Sequence, residues 1–247
     1  DGTITTHRSD QDLILTGAGA GHVRIEETRL QLGQYAGRNS QGTEDVALGY
    51  KAGENSQGNY ATTVGSYAGQ TSQGIQTVAV GYYAGNNTQA QYCVAIGAEA
   101  GKTTQGDRAV AVGRQAGMTT QGTFSVAVGC EAGEDDQGND SVAMGRQAGY
   151  KQGDDCVHIG AYAGGSVSAS PGTGSIAIGR SAGSAAQATQ AIAIGRSAQG
   201  GTNGAYADAI AVGFEAGFEG QRAKTIAIGY EAGRNTLNDS DLGHETG

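Results

Sequence analysis

The sequence contains no tryptophan, one proline and three phenylalanines in 247 residues. So few large apolar side chains exclude a thick globular core, and hydrophobic residues make up only 37% of the chain. No apolar run approaches the ~20 residues that cross a bilayer as a helix, and no secretory leader pattern is read at the start. Membrane insertion is therefore not expected. Basic residues are outnumbered: Lys and Arg total 15 against 24 Asp and Glu, a formal net charge of −9. That balance argues against a nucleic-acid partner, which needs clustered cations. Cysteine is scarce and odd in number, at three. Cys93 and Cys156 fall in one column of the repeat described below, four coils apart. At about 4.8 Å per coil they stand roughly 19 Å apart, too far for a disulfide. Cys130 lies in another column. All three read as free thiols, the first pair as small buried fillers.

Glycine is what the chain has in excess, with 45 residues. It lacks the Gly-X-Y period of collagen. It recurs instead at Gly33, Gly49, Gly65, Gly81, Gly97, Gly113, Gly129, Gly145, Gly160, Gly179, Gly195, Gly213 and Gly229. The spacing is sixteen through Gly145, then 15, 19, 16, 18 and 16. Around each of these anchors the pattern is V-A-V/I-G-x-x-A-G-x-x-x-Q-G-x-x-small. A fixed period of this kind decides the architecture before any local propensity does.

Val or Ile stands three before most anchors and an aliphatic residue one before, as in Val94 and Ile96 or Ile176 and Ile178. Residues two apart face the same way in an extended chain, and β-branching favours a strand. The position between them is almost always Ala, and three past the anchor Ala fills every unit from Ala36 to Ala232. A column that takes only Ala has no room for more. Gly stands four past the anchor in all units but one, where Gln199 intrudes. The Gln-Gly pair eight and nine past the anchor reads as a second corner. Each unit is thus a strand, a corner, a short extended piece and another corner. One coil cannot bury its own aliphatic face; stacked coils can, with each strand bonded to the next. The expected fold is all-β, a parallel β-solenoid of about thirteen ~16-residue coils, on the order of 60 Å long at ~4.8 Å per coil. Its core is expected to be a narrow line of Val, Ile and Ala.

Three segments follow. Residues 1–29 lack the period and read as a strand pair that caps the stack, residues 30–233 are the solenoid, and residues 234–247 are a polar tail or linker. Extra residues enter at GSVSASPGTG (165–174) and GGTNGAY (200–206), and one residue is lost near Lys151. Insertions in solenoids tend to gather on one face, often a binding face. Ser168, Ser170, Thr173 and Asn203 are therefore candidate surface-binding residues. So are Tyr35, Tyr50, Tyr67, Tyr82 and Tyr83, which stand one or two past the anchor; a ring with a polar tip suits stacking on a sugar or a partner. In the same columns Arg114, Arg146, Arg180 and Arg196 face Glu99, Glu131, Glu215 and Glu231, as an ion-paired solvated surface would.

No catalytic set, cofactor site or metal site is read. None of His7, His22, His158 and His244 has a Cys or carboxylate at zinc-like spacing. His158 occupies a position that is Ala in nearly every other unit; it is either a satisfied core histidine or, around a three-fold axis, one of three that hold an anion or metal. Glu134, Asp135 and Asp136 are the densest acidic cluster, on an expected turn, where solvation accounts for them.

The runs VAIGAEAG (94–101) and IAIGRSAG (176–183) resemble the head repeats of trimeric autotransporter adhesins. With the added Gln-Gly corner, residues 30–233 are more similar to repeats in tail fibres of bacteriophages and surface fibres of large algal viruses. The lead-in TITTHRSDQDLILTGAGAGHVRIEE resembles stretches that precede such repeats in viral fibres. The resemblance implies a left-handed β-roll with three chains side by side. It implies a structural and attachment role at a virion surface or another extracellular location, with two further copies of the chain and a host cell-surface glycan as partners, and no enzymatic activity. The alternatives are a bacterial adhesin head that binds matrix or glycans, an ice-binding solenoid and a depolymerising tailspike. The ice-binding reading rests on Thr103-Thr104 and Thr119-Thr120, which neighbouring coils replace with Asn55-Ser56 and Asp135-Asp136.

Overall fold

The computed structural model describes residues 29–165, 172–184, 188–200, 207–218 and 221–234. The expected cap, the tail, both inserted segments around Ser168, Ser170 and Asn203, and the lead-in lie wholly or largely outside them. Among the described residues the chain is all β, a parallel β-solenoid with no helix. One strand per coil joins a 13-stranded parallel sheet that runs from Arg29–Leu32 to Ile226–Ile228. The register follows the repeat residue for residue: Val94 pairs with Val110, Ala95 with Ala111 and Ile96 with Val112. Arg29–Leu32 already ladders with Asp45–Leu48, so the stack begins at the first described residue. A second sheet of six short strands, from Asn39–Gln41 to Thr120–Gln121, forms the opposite wall of the coils, and a single bridge from Gln121 to Gln137 extends it.

The core differs from expectation. Alternation puts one residue of each three-residue strand inward and two outward, and the inward one is alanine. Ala79, Ala95, Ala111, Ala127 and Ala143 are fully buried, as are Ala84, Ala100, Ala116 and Ala132 three past the anchors. The Val and Ile columns point away from this interior: Ile96 is 41% exposed and Ile194 37%. The reason is width. A coil of sixteen residues that spends several on two tight corners encloses space for Cβ atoms and one longer side chain. The small columns therefore line the chain's own interior, and do not admit a neighbouring backbone.

The remaining interior is filled by glutamine. Gln89, Gln105, Gln121, Gln137 and Gln152 are all buried. The Gln105 amide nitrogen donates to the carbonyls of Val94 (2.9 Å) and Ala109 (3.1 Å) and to the Gln121 amide oxygen (3.1 Å). Its own oxygen accepts from the Gln89 amide at 2.8 Å. The Gln-Gly pair is thus less a corner than an inward polar rung with a corner after it. Gln199 belongs to the same system. The coil of Gly195 has Asn203 eight past its anchor, and there Gln199 is buried and donates to the Gln221 amide oxygen at 3.2 Å.

The anchor glycines have two reasons to be glycine. Gly97 has φ +129°, and a Cβ placed on it would meet the Gly113 carbonyl oxygen of the next coil at 2.5 Å. The corner after it turns through Glu99 at φ 60°. There the backbone N–H donates to the carbonyl of Tyr82 one coil back, at 2.8 Å. The left-handed conformation costs ~1–2 kcal/mol for a residue with a side chain. It is tolerated because it aims the N–H along the stack, so that the hydrogen-bond ladder continues around the corner.

Candidate functional site

Because alanine and glutamine fill the interior, the aliphatic columns form an outer face. Val78, Val94, Val110, Val126 and Val142 make one row; Val80, Ile96, Val112, Val128 and Met144 make the parallel row. None of these residues is buried. The rows continue through Ile159, Ile178 and Ile194, each more than a third exposed. The face is regular and, from Val78 on, aliphatic in both rows; Thr62 interrupts one row a coil earlier. Contiguous apolar surface of this extent marks an interaction site rather than a solvated wall.

Two corners border it, and both carry aromatic rings. On the corner past the anchors the structure brings together Tyr35, Tyr50, Tyr67, Tyr82 and Tyr83. Successive ring centroids lie 6.0 Å apart for Tyr35 and Tyr50, and 5.3 Å for Tyr50 and Tyr67. Tyr67 stacks flat on Tyr83 at 4.6 Å, and Tyr82 meets Tyr83 edge-on at 4.5 Å. The Lys51 ammonium lies within 6 Å of three of these rings. The rings thus spend much of their faces on one another and on cations, and offer edges and hydroxyls outward. Desolvation, with the neighbouring Tyr82 and Tyr67, pushes the Tyr83 phenol above its ordinary range.

Further along the same corner the tyrosines give way to charge. Glu99, Gln115, Glu131 and Gln147 alternate in one column. Gln115 donates to Glu99 at 3.0 Å and Gln147 to Glu131 at 2.7 Å, and the Gln115 amide stands between the two carboxylates. Arg114 pairs with Glu131 and lies 3.2 Å from the Cys130 thiol. Arg146 and Arg196 are stacked over Tyr162 (4.7 Å) and Phe214 (4.3 Å). Within the Glu134–Asp136 cluster, Lys151 pairs with Asp135 at 3.5 Å. Burial and the nearby Glu131 raise the Glu134 carboxyl above the usual range.

The opposite corner, just before each strand, carries rings that the sequence reading passed over. Tyr60 and Phe124 are 51% and 52% exposed, and Tyr92 lies between them in the same column. All three have φ near +60°. The Arg108 guanidinium sits between two of them, 5.1 Å from the Tyr92 centroid and 5.2 Å from that of Phe124. The signal was present as an aromatic residue every 32 positions, two coils apart. Thr173 is exposed and lies on this corner, away from the Tyr35–Tyr83 column. Ser168, Ser170 and Asn203 are outside the described residues.

His158 is fully buried inside its own coil. That excludes the arrangement in which three copies of it meet on an axis between chains. Cys93 and Cys156 are buried and Cys130 is partly exposed. Among the described residues no three His, Cys, Asp or Glu are grouped so as to hold a metal ion, and no helix is long and apolar enough to cross a membrane. Compared with protein-family models, curated proteins and solved structures, the chain matches none.

Proposed function

We propose that this chain is a structural and attachment protein, one strand of a side-by-side homotrimeric fibre or spike segment at a virion surface, wound as a left-handed β-roll. The outward aliphatic face carries this reading. A lone chain leaves two continuous apolar rows in water, whereas copies with the same ~4.8 Å period cover them in register along the whole shaft. The interior needs no such partner, since alanine and the glutamine rungs complete it within one chain. Assembly therefore joins finished solenoids and leaves the corners at the surface. There the exposed Tyr60, Tyr92 and Phe124 column and the tyrosine stack repeat along each chain. Three chains multiply weak contacts into avidity for host-surface glycans.

The attachment half is tested by presenting the native assembly to an array of bacterial, algal and animal surface polysaccharides together with extracellular-matrix proteins. Polysaccharide binding that weakens on Tyr92→Ala and Phe124→Ala is the expected result. Binding to matrix proteins alone would move the reading to a bacterial adhesin head. Silence across the array would reduce the segment to a spacer.

A further inference from the structure

The inward column two before each anchor is alanine from Ala79 to Ala143 and again from Ala177 to Ala227. Between these runs stands His158, in register with Ala143 on one side and Ala177 on the other. The buried alanines accordingly fall into two clusters, one that ends at Ala143 and one that begins at Ala163. The coil that divides them is also the one flanked by period breaks, 15 residues before it and 19 after. Among the described residues it lies beyond the last ladder pair of the second wall, the bridge from Gln121 to Gln137.

The imidazole fills the space that glutamine fills elsewhere. A Cβ on Gly101 would meet the Gln105 amide oxygen at 2.8 Å; on Gly164 the equivalent Cβ would overlap the His158 ring. The sequence agrees, because eight past Gly160 stands Ser168 instead of Gln. The substitute is poorly supplied with partners. His158 Nε2 lies 3.1 Å from Ser175 Oγ, which is 3.2 Å from Cys156 Sγ. Nδ1 is buried without a hydrogen-bond partner. Among the described residues, the groups against the ring are Ala143 and Ala177 in register, Gly164, and Ser175 with Cys156 behind it. Cys156 is the one titratable group among them, and no carboxylate stands there to offset an imidazolium. The other coil with an insertion meets the same need with Gln199, a side chain that does not titrate.

We propose that the coil around His158 is an acid-sensitive joint in the shaft: the neutral imidazole completes its interior, and protonation opens that coil while the stacks on either side hold. Burial alone lowers the His158 pKa to about 4, against ~6.5 in an opened coil. The opened form takes the proton first. The closed form is therefore fully favoured above about pH 6.5 and loses ground as pH falls from there toward 4. Between pH 7.5 and pH 5 the opening equilibrium shifts by roughly thirtyfold.

Hydrogen exchange of the native assembly, followed by mass spectrometry at pH 7.5 and pH 5 and corrected for intrinsic rates, reads this directly. Peptides within residues 150–165 should open roughly thirtyfold more at pH 5, while those within residues 94–112, a stretch without histidine, should not change. His158→Gln should abolish the pH effect; if it assembles poorly, His158→Asn and His158→Ala give the same reading. A wild-type coil that does not open in acid, an opening spread evenly along the shaft, or one that persists without the imidazole would each overturn the proposal.

Discussion

Replacing Gln105 tests whether the interior is held by its amide rungs or by alanine packing alone. Gln105 is 1% exposed. Gln105→Met keeps nearly the same volume and removes the amide. The Gln121 amide oxygen then loses its donor, and the carbonyls of Val94 and Ala109 each lose one. Gln89 keeps a bond to the Val78 carbonyl at 3.3 Å. At about 1 kcal/mol net per buried bond, the loss is about 2–3 kcal/mol. Gln105→Ala adds an unfilled void and should cost about 4 kcal/mol. Gln105→Glu buries a carboxyl whose folded pKa must rise above its unfolded value of ~4.3. Its stability is therefore retained below that value and lost as pH rises through the folded pKa. The assay is urea unfolding at one fixed chain concentration, with Gln91→Met, at an exposed corner position, as control within ~0.5 kcal/mol. Should Gln105→Met match the wild type, the amide ladder contributes nothing and the account of the interior is wrong.

Two further outcomes follow from the same coil. Burial pushes the Cys93 thiol up to about 11, and Cys156 is buried with it, whereas Cys130 reaches solvent. Titration with a thiol reagent near pH 8 should find one reactive group in the native protein and three after denaturation; rapid labelling of Cys93 or Cys156 would contradict their placement. Gly97→Ala should destabilise by about 3 kcal/mol, from strain at positive φ and a disturbed ladder, since its Cβ would press on the Gly113 carbonyl. A change under ~0.5 kcal/mol, the range of an ordinary surface substitution, would show that neighbouring coils can separate at little cost.

The stack and its register were legible because like residues recur at like spacing. Which side of the strand faces inward was not. A period of two says that Val94 and Ile96 share a face and that Ala95 takes the other. Only the width of the coil decides that the small residue goes inside. The hint lay in the composition: a column restricted to alanine is the one without room, and room is scarcest within the coil. Gln105 and its equivalents were read as turn residues because a glycine follows them. A polar side chain held at one place in coil after coil, beside variable neighbours, was the mark of an interior rung. Gln199 and His158, which looked like exceptions, stand in coils whose eighth position past the anchor is Asn203 or Ser168. The tyrosine column was legible as a column, but not as a mutual stack, because ring contact depends on corner geometry. Tyr60, Tyr92 and Phe124 were missed because they recur only in alternate coils, and, as in the tyrosine column, each is a bulky ring at positive φ, which runs against turn propensity. The reason it is tolerated, an N–H donated to the previous coil, exists only in the stack.

The central claim is that the outward aliphatic face joins copies of the chain. Equilibrium sedimentation of the wild type and of an Ile178→Glu, Ile194→Glu double variant tests it most directly. Both residues are exposed in the single chain, so the charges leave the solenoid itself intact. The account predicts three copies of the 24.7 kDa chain for the wild type and folded single chains for the variant. A wild-type monomer, or a variant that assembles as the wild type does, would contradict it.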